Sequence, residues 1–172
     1  MFEQGDGVKA DPAVAVARYN ELAAGGPKDS RVPIEAHLRL AQLYLGGRGL
    51  PPDVNAARQH CEAAASLKSG RGCFCLGLLN ERGDLGSPNY SEAARWYEEA
   101  ARNGDNRAMV RLGKLYETGQ GVKHDDVEAL KWYLLALRYR QADAKPAADA
   151  LTSRLSKKEN DRALKEAREW HH

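Results

Sequence analysis

The feature that most constrains this chain is a pattern that returns every 36 residues. It is clearest from Ala108 to Ala136. There two apolar series at helical spacing, Ala108/Leu112/Leu115/Tyr116 and Ala129/Trp132/Tyr133/Ala136, flank a Gly119-x-Gly121-Val122 turn. The preceding copy reads Gly72/Leu76/Leu79, Gly83, Asn89, Ala93, Trp96, Tyr97 and Ala100. The copy before that reads Ala36/Leu40/Leu43/Tyr44, Gly47-x-Gly49-Leu50, Asp53, Ala57, His60, Cys61 and Ala64. A fixed period of this size marks helix pairs that bury their apolar faces only by stacking on neighbours. The expected fold is all-α, a solenoid of antiparallel helix pairs.

Local chemistry agrees with that period. Helices are expected over about 11–24, 33–46, 53–67, 71–82, 89–103, 106–118 and 125–141. Asp53, Asn89 and Asp125 stand where the second helix of each pair restarts, as N-caps. Glu92 and Glu128 follow three residues on, as a capping box requires. The glycine turns allow positive φ and close helix approach. They lack the preceding strand and third glycine of a phosphate-binding fingerprint. Trp96-Tyr97 and Trp132-Tyr133, set among Ala93/Ala100 and Ala129/Ala136, read as large rings packed beside small residues.

These residues resemble the Sel-1-like repeat family, relatives of the tetratricopeptide repeats. Ala108, Leu112, Gly113, Tyr116, Gly119, Gly121, Val122, Asp125, Ala129, Trp132, Tyr133 and Ala136 match its pattern position for position. The chain departs from it at His60 and Cys61, where an aromatic pair belongs, and at Asn80 and Leu85, the Tyr and second Gly positions. The resemblance implies an α-α superhelix, a right-handed solenoid, organised as a single domain over 1–172. Residues 1–32 would be a partial first repeat and loop, 33–68, 69–104 and 105–141 full repeats, and 142–170 a C-terminal capping helix pair.

Both ends depart from the period. Phe2, Gly5, Gly7, Val8, Asp11 and Ala15 align with Tyr44, Gly47, Gly49, Leu50, Asp53 and Ala57, with Gly25 to Ser30 as an inserted loop, so the chain reads as beginning inside a repeat of a longer protein. The helix carrying Val14, Tyr19 and Leu22 then leaves an apolar flank uncovered, and self-association or fraying is expected there. Ala144, Ala148 and Leu151 keep the period, a polar turn is expected over Ser156 to Asn160, and a last helix places Ala163, Ala167 and Trp170 on one face. Its polar outer face, with Arg162, Lys165, Glu166 and Glu169, suits a terminal cap. The closing His171-His172 resembles the start of a purification tag.

Composition narrows the function classes. Lys and Arg number 26 against 24 Asp and Glu, a net charge of +2 with the signs interspersed. Neither a nucleic-acid nor a membrane surface is expected from that balance. No apolar run is long enough for a bilayer span. Met1-Phe2-Glu3-Gln4-Gly5 lacks a signal-peptide start, which leaves a cytoplasmic or periplasmic setting open. Of the three cysteines, Cys61, Cys73 and Cys75, the favoured reading is buried small hydrophobes, with a Cys61–Cys73 bridge as the alternative. His37, His60 and His124 have no companions at metal-ligand spacing, and His60 is expected to be a packed histidine. No catalytic set, cofactor motif or metal site is found, and no enzymatic role is expected.

The resemblance implies a binding surface on the first helix of each pair, along the concave side. The positions carried over are Glu35, Arg71 and Arg107; Leu38, Phe74 and Val110; Gln42, Leu78 and Lys114; and Leu45, Glu81 and Glu117. Leu38, Phe74 and Val110 could equally be packed between first helices. The Lys and Asn with which related stacks clamp a peptide carboxylate are replaced by Leu38, Gln42, Phe74 and Leu78. A groove apolar in the middle with Arg71 and Arg107 at one rim suits an extended or helical peptide with an acidic side. The implied function is a protein-interaction scaffold. The alternative is a C-terminal assembly module of a larger membrane-anchored or multidomain protein; an enzyme acting on β-lactams or cell-wall peptides ranks last.

Overall fold

A computed structural model of the chain describes residues 12–25, 31–46 and 50–170. Every regular element among them is helical. They are α1 (Pro12–Gly25), α2 (Arg31–Gly46), α3 (Val54–Ser66), α4 (Gly70–Arg82), α5 (Tyr90–Arg102), α6 (Arg107–Thr118), α7 (Asp126–Arg138), a 3-10 turn (Ala142–Ala144), α8 (Lys145–Arg154) and α9 (Lys157–Glu169). The expected all-α class is what the chain adopts. Gly5, Gly7, Asp11, Gly47, Gly49 and the loop of residues 26–30 lie outside the described residues.

The chain divides into two compact units, Met1–Leu76 and Gly77–His172. In the first, α2 packs on α1 and α3. Its core is built from Ala36, Leu40, Ala41 and Leu43 of α2 and Ala57, Cys61 and Ala64 of α3. On α1, Ala15 is buried while Val14 and Leu22 stay 48% and 46% exposed. In the second unit, α6 packs on α5 and α7, and α7 on α8 and α9. Fully buried alanines at 93, 100, 108, 129, 136 and 163 bring the backbones close enough for Tyr97, Leu112, Trp132 and Tyr133 to fill the space between. Trp132 meets Trp170 edge-on, with ring centroids 5.9 Å apart, so the end of α9 covers the last repeat's indole. Trp96 is only half-buried, unlike Trp132.

The three N-caps form, but not as full capping boxes. Asp53 accepts from the Ala56 N–H at 2.9 Å, Asn89 from Glu92 at 3.1 Å, and Asp125 from Val127 and Glu128 at 2.9 and 3.0 Å. The return half is unnecessary because each cap's own N–H already donates to the preceding helix. Asp53 donates to Tyr44 O at 3.0 Å, Asn89 to Asn80 O at 2.9 Å and Asp125 to Tyr116 O at 3.1 Å. Glu92 and Glu128 turn instead to Arg95 and Lys131. A complete capping box occurs at Ser156 and Glu159, where a polar turn was expected, so α9 begins directly after Ser156.

Helix ends follow the period too. Lys68, Gly104 and Arg140 all adopt the left-handed conformation, at φ 57°, 83° and 65°. The next N–H in each case, of Ser69, Asp105 and Gln141, reaches back to the carbonyl of Ala64, Ala100 and Ala136. This is the Schellman closure of a helix C-terminus. It ends α7 at Arg138, three residues earlier than the apolar pattern implied. The cysteine expectation holds only in part: Cys61 and Cys73 are buried, but Cys61 is bridged to Cys75, with Cα atoms 6.0 Å apart, and Cys73, the alternative partner, lies outside the bridge. Cys61 and Cys75 sit on facing turns of α3 and α4, and Cys73 is buried two residues earlier on α4.

Candidate interaction surface

In the first unit, the candidate positions separate by burial. Leu38 and Phe74 are 9% and 8% exposed and therefore serve the core. That is the alternative already open for them, because a residue three positions along a packed helix face returns toward its neighbour. Gln42 is exposed, and Leu45 is 38% exposed. Glu35 accepts from Arg71 Nη1 at 2.6 Å and from Arg39 Nε at 3.0 Å. All three side chains remain around half exposed, so these pairs order the surface more than they stabilise it.

In the second unit, α6 presents one outward face. Ala108, Met109, Leu112, Gly113 and Leu115 are buried; Arg107 and Lys114 are exposed and Val110 is half-buried between them. Asp105, itself buried, accepts two bonds from the Arg107 guanidinium, at 2.9 and 2.5 Å. That pairing raises the Arg107 pKa further and aims a fixed cation outward. Arg111 reaches Glu81 at 3.2 Å.

Glu81 and Glu117 have a duty that the sequence reading missed. Each accepts the hydroxyl proton of a buried tyrosine, Tyr97 for Glu81 and Tyr133 for Glu117, the latter at 2.8 Å. Burial, and then the carboxylate itself, pushes both phenols well above their usual range. The signal was present: both pairs are separated by 16 residues, and the equivalent first-unit positions, Leu45 and Cys61, have neither group. Leu78, between these positions, is half-buried.

The histidines also separate. His124 stands 3.2 Å from Asp126 with its side chain largely exposed. His37 and His60 meet across α2 and α3, Nδ1 to Nδ1, at 3.1 Å. Burial lowers the pKa of both, and for His60 the proximity of His37 lowers it further. Among the described residues, no group of three or more His, Cys, Asp or Glu gathers to hold a metal ion, and no helix is long and apolar enough to cross a membrane.

Comparison with known proteins bears directly on this repeat. The family described as Sel1 repeat matches residues 1–26, 34–69, 71–105 and 106–138. Alginate biosynthesis protein AlgK of Pseudomonas syringae pv. tomato is 31% identical over 120 residues, covering 70% of this chain and 25% of that protein. An exopolysaccharide production negative regulator of Rhizobium meliloti is 30% identical over 131 residues, covering 70% of this chain and 48% of its own. The chain thus spans between a quarter and a half of these curated relatives. Among solved structures, a Sel1 repeat protein from Oxalobacter formigenes superimposes with a TM-score of 0.73 at 29% identity, over 86% of this chain and 58% of that one.

Proposed function

The chain belongs to the Sel1 repeat family, and from that premise we propose that it is a non-enzymatic interaction scaffold whose partner contacts the outward face of α6. Sel1 repeat proteins mediate protein interactions, and a paired-helix repeat supplies side chains at fixed spacing rather than a reaction centre. The observation that carries the reading is the α6 face itself. Arg107, held by Asp105, and Lys114 present cations about one turn either side of half-buried Val110. That pattern suits a partner segment with an acidic side and an apolar anchor.

The test is a peptide array probed with the full chain, followed by titration of any ligand found. Arg107→Glu with Lys114→Glu should weaken binding by about tenfold or more, the equivalent of ~1.4 kcal/mol for one charge-assisted contact. Unchanged affinity in that variant would remove α6 as the contact surface. A second reading is that the chain helps assemble a polysaccharide-producing apparatus as part of a larger protein. It is favoured by relatives named for alginate biosynthesis and exopolysaccharide production. Deleting the gene and weighing secreted polysaccharide tests it, and an unchanged yield counts against it.

A further inference from the structure

The His37–His60 contact is where the repeat's own pattern is broken twice at one place. His37 occupies the position held by buried Cys73 and Met109 in the later copies, and His60 the position of Trp96 and Trp132. Two apolar columns on different helices have each been given one imidazole, and the two imidazoles face each other.

We propose that His37 and His60 form a two-imidazole site for a divalent late first-row metal ion, with Zn2+, Ni2+ and Cu2+ as the class that imidazole favours. The spacing suits chelation. Two metal–nitrogen bonds of about 2.05 Å place their nitrogens about 3.3 Å apart at the tetrahedral angle and about 2.9 Å apart at a right angle. The observed Nδ1–Nδ1 separation of 3.1 Å lies between these values. The ring of His60 is held by Tyr44, which stacks on it at 5.7 Å between centroids and 8° between planes. The His37 ring lies 5.4 Å from it with a tilt of 33°.

Both rings are half-buried. They are shielded enough to be fixed and open enough for water to complete the coordination. Cys61 is not a competing ligand, since its sulfur is committed to Cys75.

Proton balance is simple. In the metal-free pair one ring donates its Nδ1 proton and the other accepts it. Metal binding at both Nδ1 atoms requires the donor ring to carry its proton on Nε2 instead, with no net release when both rings are neutral. Affinity should fall in acid, as protons compete for the same lone pairs.

The experiment is titration of the oxidised, full chain with ZnCl2 and NiCl2, read by calorimetry and by the imidazole proton resonances. His171→Ser and His172→Ser are present throughout, so that the terminal histidines are not the ligands. The expected result is saturable uptake of one ion per chain, shifts confined to His37 and His60, and a thermal midpoint that rises with metal and returns with EDTA. Losing an outer partner of a metal ligand costs ~10–100-fold in affinity, so removing either imidazole should cost at least that. His60→Phe keeps a ring against Tyr44, and His37→Ala removes the other side; circular dichroism establishes that both fold. Absence of saturable binding, or uptake that survives in both variants, overturns the proposal.

Discussion

In Gly77–His172 a tyrosine ring lies over a glycine while its hydroxyl reaches a glutamate. This arrangement occurs twice, as Gly77/Tyr97/Glu81 and Gly113/Tyr133/Glu117. In Met1–Leu76 the same three positions hold Ala41, Cys61 and Leu45, and a disulfide to Cys75 braces α3 against α4. The substitutions make sense only together. A methyl group added at Gly113 would lie 2.6 Å from the Tyr133 ring, so the ring demands glycine. Once the ring is gone, alanine returns and improves the helix. Once the hydroxyl is gone, the acceptor carboxylate has no donor and leucine takes its place. The contrast teaches that the copies in this chain differ by a set of coupled contacts, not by residues exchanged one at a time.

The largest expected effect tests the first unit's brace. Cys61→Ser with Cys75→Ser opens a loop of sequence separation 14 and should cost about 3 kcal/mol. Urea unfolding of the variant, set beside the parent with and without reductant, measures it. A difference near zero would mean that alanine packing alone holds α3 and the comparison is empty.

Next in size is Gly113→Ala, which overpacks the second unit by about 2 kcal/mol. Its mirror, Ala41→Gly, touches no ring and costs the ~1 kcal/mol of helix propensity together with the loss of one buried methyl. Adding Tyr133→Cys to Gly113→Ala rebuilds the first unit's composition. The pair should lose less than the sum of its parts, and additive losses in the denaturation midpoints would show that ring and glycine are not coupled.

The smallest effect sharpens the comparison at the helix ends. Lys68 and Arg140 carry the left-handed conformation that Gly104 carries freely. Relieving that strain with Lys68→Gly should gain a net ~0.5 kcal/mol, after the flexibility that glycine adds to the unfolded chain is subtracted. Gly104→Ala should lose ~1 kcal/mol. Thermal melts in which all three positions respond alike to glycine or alanine would break the equivalence.

Much of the fold was legible. Periodic apolar positions place the helices within a few residues, since burial on one face needs a repeat near 3.6. Asp53, Asn89 and Asp125 name their own caps because a cap is a local contact. The start of α9 was legible as well, in Ser156-x-x-Glu159, but its lysines read as a loop. The candidate surface was only partly legible. Arg107 and Lys114 stand outward as their helical positions imply, whereas Glu81 and Glu117 proved to be tied to tyrosines 16 residues away. Contacts between helices depend on how each helix is rotated, and one residue's rotation is about 100°.

From its letters alone, the chain determined helix content, period, caps and family, because each depends on neighbours within about four positions or on comparison between copies of one pattern. Tertiary structure alone decided that Cys61 joins Cys75 rather than Cys73, and that His37 meets His60. Those pairings turn on the rotation and distance of separate helices, which spacing along one chain does not encode.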